Sequence, residues 1–149
     1  MKEPVWLLPE VVISVHQMLL AEHGGAAGIR DKALLDSALN RPRQLFAYGN
    51  ELSICELASS YCFGLAKNHP FIDGNKRVAL TIAAIFLEIN GYSLNAPEPD
   101  AAVTIEQLAA GNLAEADLTN WFIEWSVSQA PNVANHQLAG RLRCTSRTC

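Results

Sequence analysis

Val78-Ala79-Leu80-Thr81-Ile82-Ala83-Ala84-Ile85-Phe86-Leu87, in the middle of the chain, carries one hydroxyl and no charge. A helix of this composition is apolar on nearly every face, and in a protein surrounded by water it must be enclosed by other helices. The run is too short and too interrupted to span a membrane, which takes about 20 apolar residues. It therefore predicts the central, most buried helix of a compact bundle, and its flanks should hold the partners that cover it.

Those flanks are a series of helix signals with short breaks and no strand alternation of useful length, so the fold class is all-α, a helical bundle around a buried central helix. Residues 10–22 follow Pro9 and place Val12, Val15 and Leu19 at helical spacing, until Gly24, Gly25 and Gly28 stop them. Asp31 predicts an N-cap for a helix through Leu34, Leu35 and Leu39. That helix should end at Arg41-Pro42, since a residue before proline disfavours the helical region. Residues 42–50, with Phe46, Tyr48 and Gly49, read as a loop or short hairpin, a candidate for docking a target segment or simply a surface hairpin. Further helices are expected over residues 51–67, 75–90 with Gly91 as stop, 100–110 and 115–128.

A chain of 149 residues, half of it apolar, fits one globular domain over residues 1–130. Residues 131–149 lack apolar periodicity and acidic side chains but hold Arg141, Arg143 and Arg147, which predicts a mobile basic tail. The net charge of -4 argues against broad, sequence-independent binding to nucleic acid, which needs a basic surface. The apolar run after Pro4 is too short for a signal peptide, so a soluble cytoplasmic protein is expected, with no membrane partner. Cys55 and Cys62 would lie about 10 Å apart along one helix, too far for a disulfide, and read as small core residues. Cys144 and Cys149 have no histidine or cysteine partner at zinc-ligand spacing.

Immediately upstream of the apolar run stands His69-Pro70-Phe71-Ile72-Asp73-Gly74-Asn75-Lys76-Arg77. It brings a base, a carboxylate, a Gly-Asn turn and two cations to one loop entering a helix. The free N–H groups and positive dipole end of that helix attract an anion, and Gly74 lets backbone approach it closely. Lys76 and Arg77 oppose the bare helix dipole there, a conflict that an anionic ligand removes. His69 can accept the proton of an attacking hydroxyl, or be a hydrogen-bonded structural residue. Asp73 can hold a divalent cation against phosphate oxygens, or serve the turn before Gly74. Asn75 can bond a phosphate or cap the helix. Lys76 and Arg77 can cradle charge on a transferred group, or form a solvated helix start. Phe71 should anchor the loop in the core, with Pro70 restricting the backbone beside His69.

This nonapeptide resembles the signature of the Fic superfamily, His-Pro-Phe-x-Asp/Glu-Gly-Asn-x-Arg. It is similar to the death-on-curing (Doc) toxin branch in carrying Lys76 where adenylylating members usually have glycine. Gly28-Ile29-Arg30-Asp31, Leu34-Leu35, Ser37-Ala38-Leu39 and Arg41-Pro42 extend the likeness upstream. The resemblance implies a Fic-type helical fold, ATP and Mg2+ as cofactors, and transfer of a phosphorus-containing group to a protein hydroxyl. By position it implies His69 as the base, Asp73 as the magnesium ligand, Gly74 and Asn75 in the anion-binding turn, and Lys76 and Arg77 on the nucleotide phosphates. Leu80 stands where adenylylating members have a second arginine, and no Ser/Thr-x-x-x-Glu-Gly/Asn self-blocking stretch occurs. Both features are similar to Doc toxins, which are kinases restrained by a separate antitoxin in trans. A threonine of elongation factor Tu is then the implied target, and halted translation the implied outcome. Adenylyl transfer is the alternative chemistry, and a catalytically silent module that binds an antitoxin-like peptide in a groove is the alternative class.

Overall fold

The computed structural model describes residues 3–49 and 52–129. The expected basic tail, with Cys144 and Cys149, lies outside them. Among the described residues, six helices and one two-stranded ribbon follow in the order α1 (Pro9–His23), α2 (Lys32–Tyr48), α3 (Ile54–Asn68), α4 (Asn75–Ile89), β1 (Tyr92–Leu94), α5 (Glu98–Ala109), α6 (Glu115–Trp125) and β2 (Ser126–Ser128). The fold is all-α in class, a bundle around a buried helix. No described helix is long and apolar enough to cross a membrane.

The buried helix is α3 and not α4. Its capping box, with Ser53 and Glu56 each accepting from the other's backbone N–H, fixes the start three residues later than the sequence suggested. From there Leu57, Ala58, Tyr61, Cys62, Leu65 and Ala66 have no measurable exposure, and α2, α4, α5 and α6 pack around them. Small residues let α3 take the centre: a Cβ on Gly64 would stand 3.4 Å from the Ala38 backbone of α2. In α4, Val78, Ala79, Ile82, Ala83, Phe86 and Leu87 face this core, whereas Leu80, Thr81, Ala84 and Ile85 are only half-buried. Uniform apolarity thus gave α4 more burial than it has.

Two expected boundaries fail for nonlocal reasons. Helix α2 runs through Pro42 to Tyr48, where a loop or hairpin was expected. Proline removes one ladder donor, but Arg41 beside it is anchored in the helical position by Glu115 of α6 at 2.6 Å on both guanidinium nitrogens and by Ser60 of α3 at 3.1 Å. Burial of Pro42 and Leu39 adds to this anchor. The last helix ends at Trp125, and Ser126–Ser128 pairs antiparallel with Tyr92–Leu94 as a ribbon. Strands of three residues are too short to show alternation. Cys55 and Cys62 are buried free thiols, and burial pushes the Cys62 thiol up to about 12.

Candidate active site

The loop between α3 and α4 is built by three clamps. Helix α3 ends on His69, which adopts the left-handed conformation (φ 48°, ψ 56°) and is the one non-glycine residue with positive φ among those described. That backbone is held by Arg30, whose Nε donates to the His69 carbonyl at 2.7 Å and whose other guanidinium nitrogen donates to the Asn68 carbonyl at 2.8 Å. The second clamp is backbone pairing with the segment before α2. Arg30 and Asp31 N–H donate to the Pro70 carbonyl, and the Ile72 N–H donates to Gly28, making an antiparallel bridge between Ile29 and Phe71.

Asn75 supplies the third. Its buried amide closes a ring on Phe71, accepting from the Phe71 N–H and donating to the Phe71 carbonyl, both at 2.9 Å. The side chain therefore acts as a strand edge for Phe71 and does not cap the helix. What Asn75 offers the turn is its backbone N–H. Phe71 itself is almost fully buried and anchors the loop, as its apolar ring in this motif predicts.

Gly74 then turns the chain into α4 with φ 80°, a conformation glycine adopts without strain. The first ladder bond of α4 runs from the Val78 N–H to Gly74, so helix geometry leaves the N–H groups of Asn75, Lys76 and Arg77 without intrahelical partners. Asn75, Lys76 and Arg77 line a cavity of about 790 Å³, within the range of small-ligand sites. His69, Asp73 and Gly74 line one side of it, Lys76, Arg77 and Leu80 the next, and Ala101, Ile105 and Glu106 of α5 the far wall.

The carboxylate of Asp73 is exposed at this cavity but oriented, accepting from the Gly74 N–H at 2.8 Å and the Ala26 N–H at 3.2 Å. A side chain on Gly25 would meet it at 2.8 Å, which explains a glycine there. The Lys76 ammonium pairs with Glu106 of α5 across the cavity. Arg77 is exposed and, among the described residues, has no carboxylate within ion-pair distance. Every sequence-predicted site residue thus lines one cavity.

A scan against family models matches residues 6–87 to the Fic/DOC family. That span covers more than half of the chain and contains the whole nonapeptide and its clamps. The chain belongs to the Fic/Doc family. It is 32% identical over 91 residues to the protein kinase doc of Escherichia phage P1, an alignment covering 60% of this chain and 72% of that relative. To the toxin Doc of Mycolicibacterium smegmatis it is 43% identical over 75 residues, 49% of this chain and 57% of that relative. Both relatives carry the Doc name, which sets the chain on the Doc branch of the family.

Sequence reasoning passed over His16, Arg30 and Glu106 as site residues. Arg30 stood inside the upstream stretch already noted, but nothing local says that a guanidinium will reach across to the end of another helix. His16 had a signal of a kind: four residues after Val12, it interrupts the apolar stripe of α1. The segment containing Phe46 and Tyr48, the candidate for docking a target segment, lies away from His69. Asn68 reaches the Leu34 carbonyl, and Tyr48 lies roughly 21 Å further along the axis of α2 at helical rise.

Proposed function

We propose that this member of the Fic/Doc family is a protein kinase, acting as the toxin of a toxin–antitoxin pair and transferring the γ-phosphate of ATP to a threonine of elongation factor Tu. The observation that carries this reading is the arrangement of one base, one oriented carboxylate, an open helix N-terminus and two cations around one cavity of nucleotide size. In the transfer, the acceptor hydroxyl oxygen bonds to the γ-phosphorus while the bond from that phosphorus to the bridging oxygen breaks. ADP leaves with the bond's electron pair, and the hydroxyl proton passes to the His69 imidazole. Little covalent chemistry is left for the protein, so orientation and charge stabilisation dominate. The N–H groups at the start of α4 with Lys76 and Arg77 bind the phosphates, and Lys76 exchanges Glu106 for phosphate oxygen.

Asp73 fits a magnesium ion. Its two oxygens each accept one N–H bond, leaving lone pairs of the roughly four that a carboxylate offers. Magnesium needs only one or two protein carboxylates when it shares phosphate ligands, so a single aspartate is a sufficient donor set. Asp73 would hold such an ion, which would supply positive charge to offset that of the phosphates. Support for γ-phosphate over adenylyl transfer comes from Leu80, an apolar side chain on the cavity wall where adenylylating members of the family carry a cation, and from the phage P1 relative, which is named a protein kinase. An antitoxin acting in trans is the proposed restraint.

His69→Ala tests the reading. It should abolish incorporation of phosphate into elongation factor Tu, and toxicity on expression, while leaving the unfolding free energy within about 1 kcal/mol of wild type because the ring is exposed. Retained incorporation in a folded His69→Ala protein would remove His69 as the base.

A further inference from the structure

His16 is a polar residue buried to 3% exposure, and nothing in the proposed transfer uses it. It projects from α1 beneath the loop. Its Nε2 lies 2.7 Å from the backbone carbonyl of Asp73, and since a carbonyl only accepts, Nε2 carries the hydrogen. Its ring stacks on Phe71 with centroids 3.8 Å apart and planes 12° from parallel. A Cβ on Gly74 would stand 3.6 Å from the same Nε2, so the imidazole forms the floor under the Asp73–Gly74 peptide.

We propose that His16 is the positioning residue of this site: its Nε2–H fixes the Asp73–Gly74 peptide and thereby aims both the Asp73 carboxylate and the open N–H groups of α4. The carbonyl of Asp73 and the N–H of Gly74 belong to one rigid peptide plane. Holding the carbonyl therefore sets the direction of the Gly74 N–H, which in turn holds one oxygen of the Asp73 carboxylate at 2.8 Å. Arg30 and Asn75 fix the loop on the His69 and Phe71 side, and the Ala26 N–H holds the second carboxylate oxygen, which leaves His16 as the side chain that holds the Asp73 carbonyl.

The consequence for Asp73 rests on the magnesium–nucleotide reading above, whereas the consequence for loop order does not. The test compares His16→Phe, which keeps a stacked ring and deletes the donor, with His16→Gln, whose amide N–H can reach the carbonyl. Two readouts are taken: amide hydrogen exchange at Gly74, and binding of a non-hydrolysable ATP analogue titrated with and without magnesium. His16→Phe should exchange Gly74 and bind the analogue with magnesium roughly tenfold worse than wild type, the scale of one lost hydrogen bond, with a smaller change in binding without the metal. His16→Gln should restore both to within about threefold. Equal behaviour of the two variants, or wild-type Gly74 exchange in His16→Phe, would overturn the proposal. If even wild type binds no nucleotide, the kinase reading fails and Gly74 exchange alone decides the role of His16. Should His16→Phe not fold, Gly74 exchange in His16→Gln decides it, and a rate raised tenfold there overturns the role.

Discussion

Replacing Arg30 by methionine should loosen the candidate base while leaving the protein folded. The left-handed backbone of His69 costs a non-glycine residue roughly 1–2 kcal/mol. Opposing it are the two guanidinium bonds at 2.7 and 2.8 Å to the His69 and Asn68 carbonyls, worth about 1–2 kcal/mol together once the exposure of Arg30 is discounted. Strain and clamp are therefore of the same size. Without the clamp His69 can relax, which returns part of the lost energy, so Arg30→Met should lower unfolding free energy by less than about 2 kcal/mol. The backbone bonds from Arg30 and Asp31 to Pro70 survive the substitution and keep the loop in place. The same relaxation takes the imidazole out of position in most molecules, and transfer per folded molecule should fall roughly 5- to 30-fold, the population ratio for that energy. Arg30→Lys, with a point charge that cannot bridge both carbonyls, should fall between. The assays are urea unfolding and single-turnover transfer normalised to folded protein. Loss of stability with transfer per folded molecule unchanged to within about twofold would show that the clamp serves only the fold.

Asn75→Ala should cost about 2–4 kcal/mol of stability by urea unfolding, because it deletes two bonds and leaves the buried Phe71 N–H unpaired; a loss below about 0.5 kcal/mol would mean that the amide is not a structural clamp. The Cys62 thiol ionises near 9.0 when unfolded and at about 12 when folded, so between those values the unfolded chain has shed a proton that the folded chain retains. Stability from this group is full below pH 9 and falls as pH rises towards 12, by up to about 1.4 kcal/mol per pH unit. Cys62→Ala should flatten that slope relative to wild type, and an unchanged slope would contradict the assignment. Glu106→Gln should change stability by less than about 1 kcal/mol, since the pair with Lys76 is half-exposed. It should also tighten nucleotide binding by freeing the ammonium; weaker binding would argue that Glu106 itself contacts the ligand.

What could be read from the chain was whatever depends on near neighbours. The Asp31 cap is one such feature, with its side chain accepting from the Leu34 N–H at 3.1 Å, and the nonapeptide is another, a continuous string whose residues face one cavity. The Ser53–Glu56 box was equally local, four residues with a readable pattern, and would have corrected the start of α3. What could not be read depends on partners distant in sequence. Pro42 stays helical because Arg41 meets Glu115, 74 residues away, and β2 exists only because β1 lies beside it. At the site the same division holds. The residue types of the loop pointed to one shared cavity, but Asn75 turned inward and Arg30 and His16 turned towards the loop from separate segments. The directions of Arg30 and His16 have no local cause, whereas that of Asn75 is set by Phe71, four residues away.

The central claim is that the γ-phosphorus, and not the α-phosphorus, meets the acceptor hydroxyl beside His69. It is tested most directly by incubating the protein and elongation factor Tu with magnesium and ATP labelled separately at the α and γ positions, then measuring label and intact mass on the factor. The account predicts label from the γ position alone and a mass gain of one phosphoryl group on a threonine, absent with His69→Ala. Label from the α position with the mass of a whole nucleotide monophosphate would contradict it, and so would an unmodified factor in the presence of active protein.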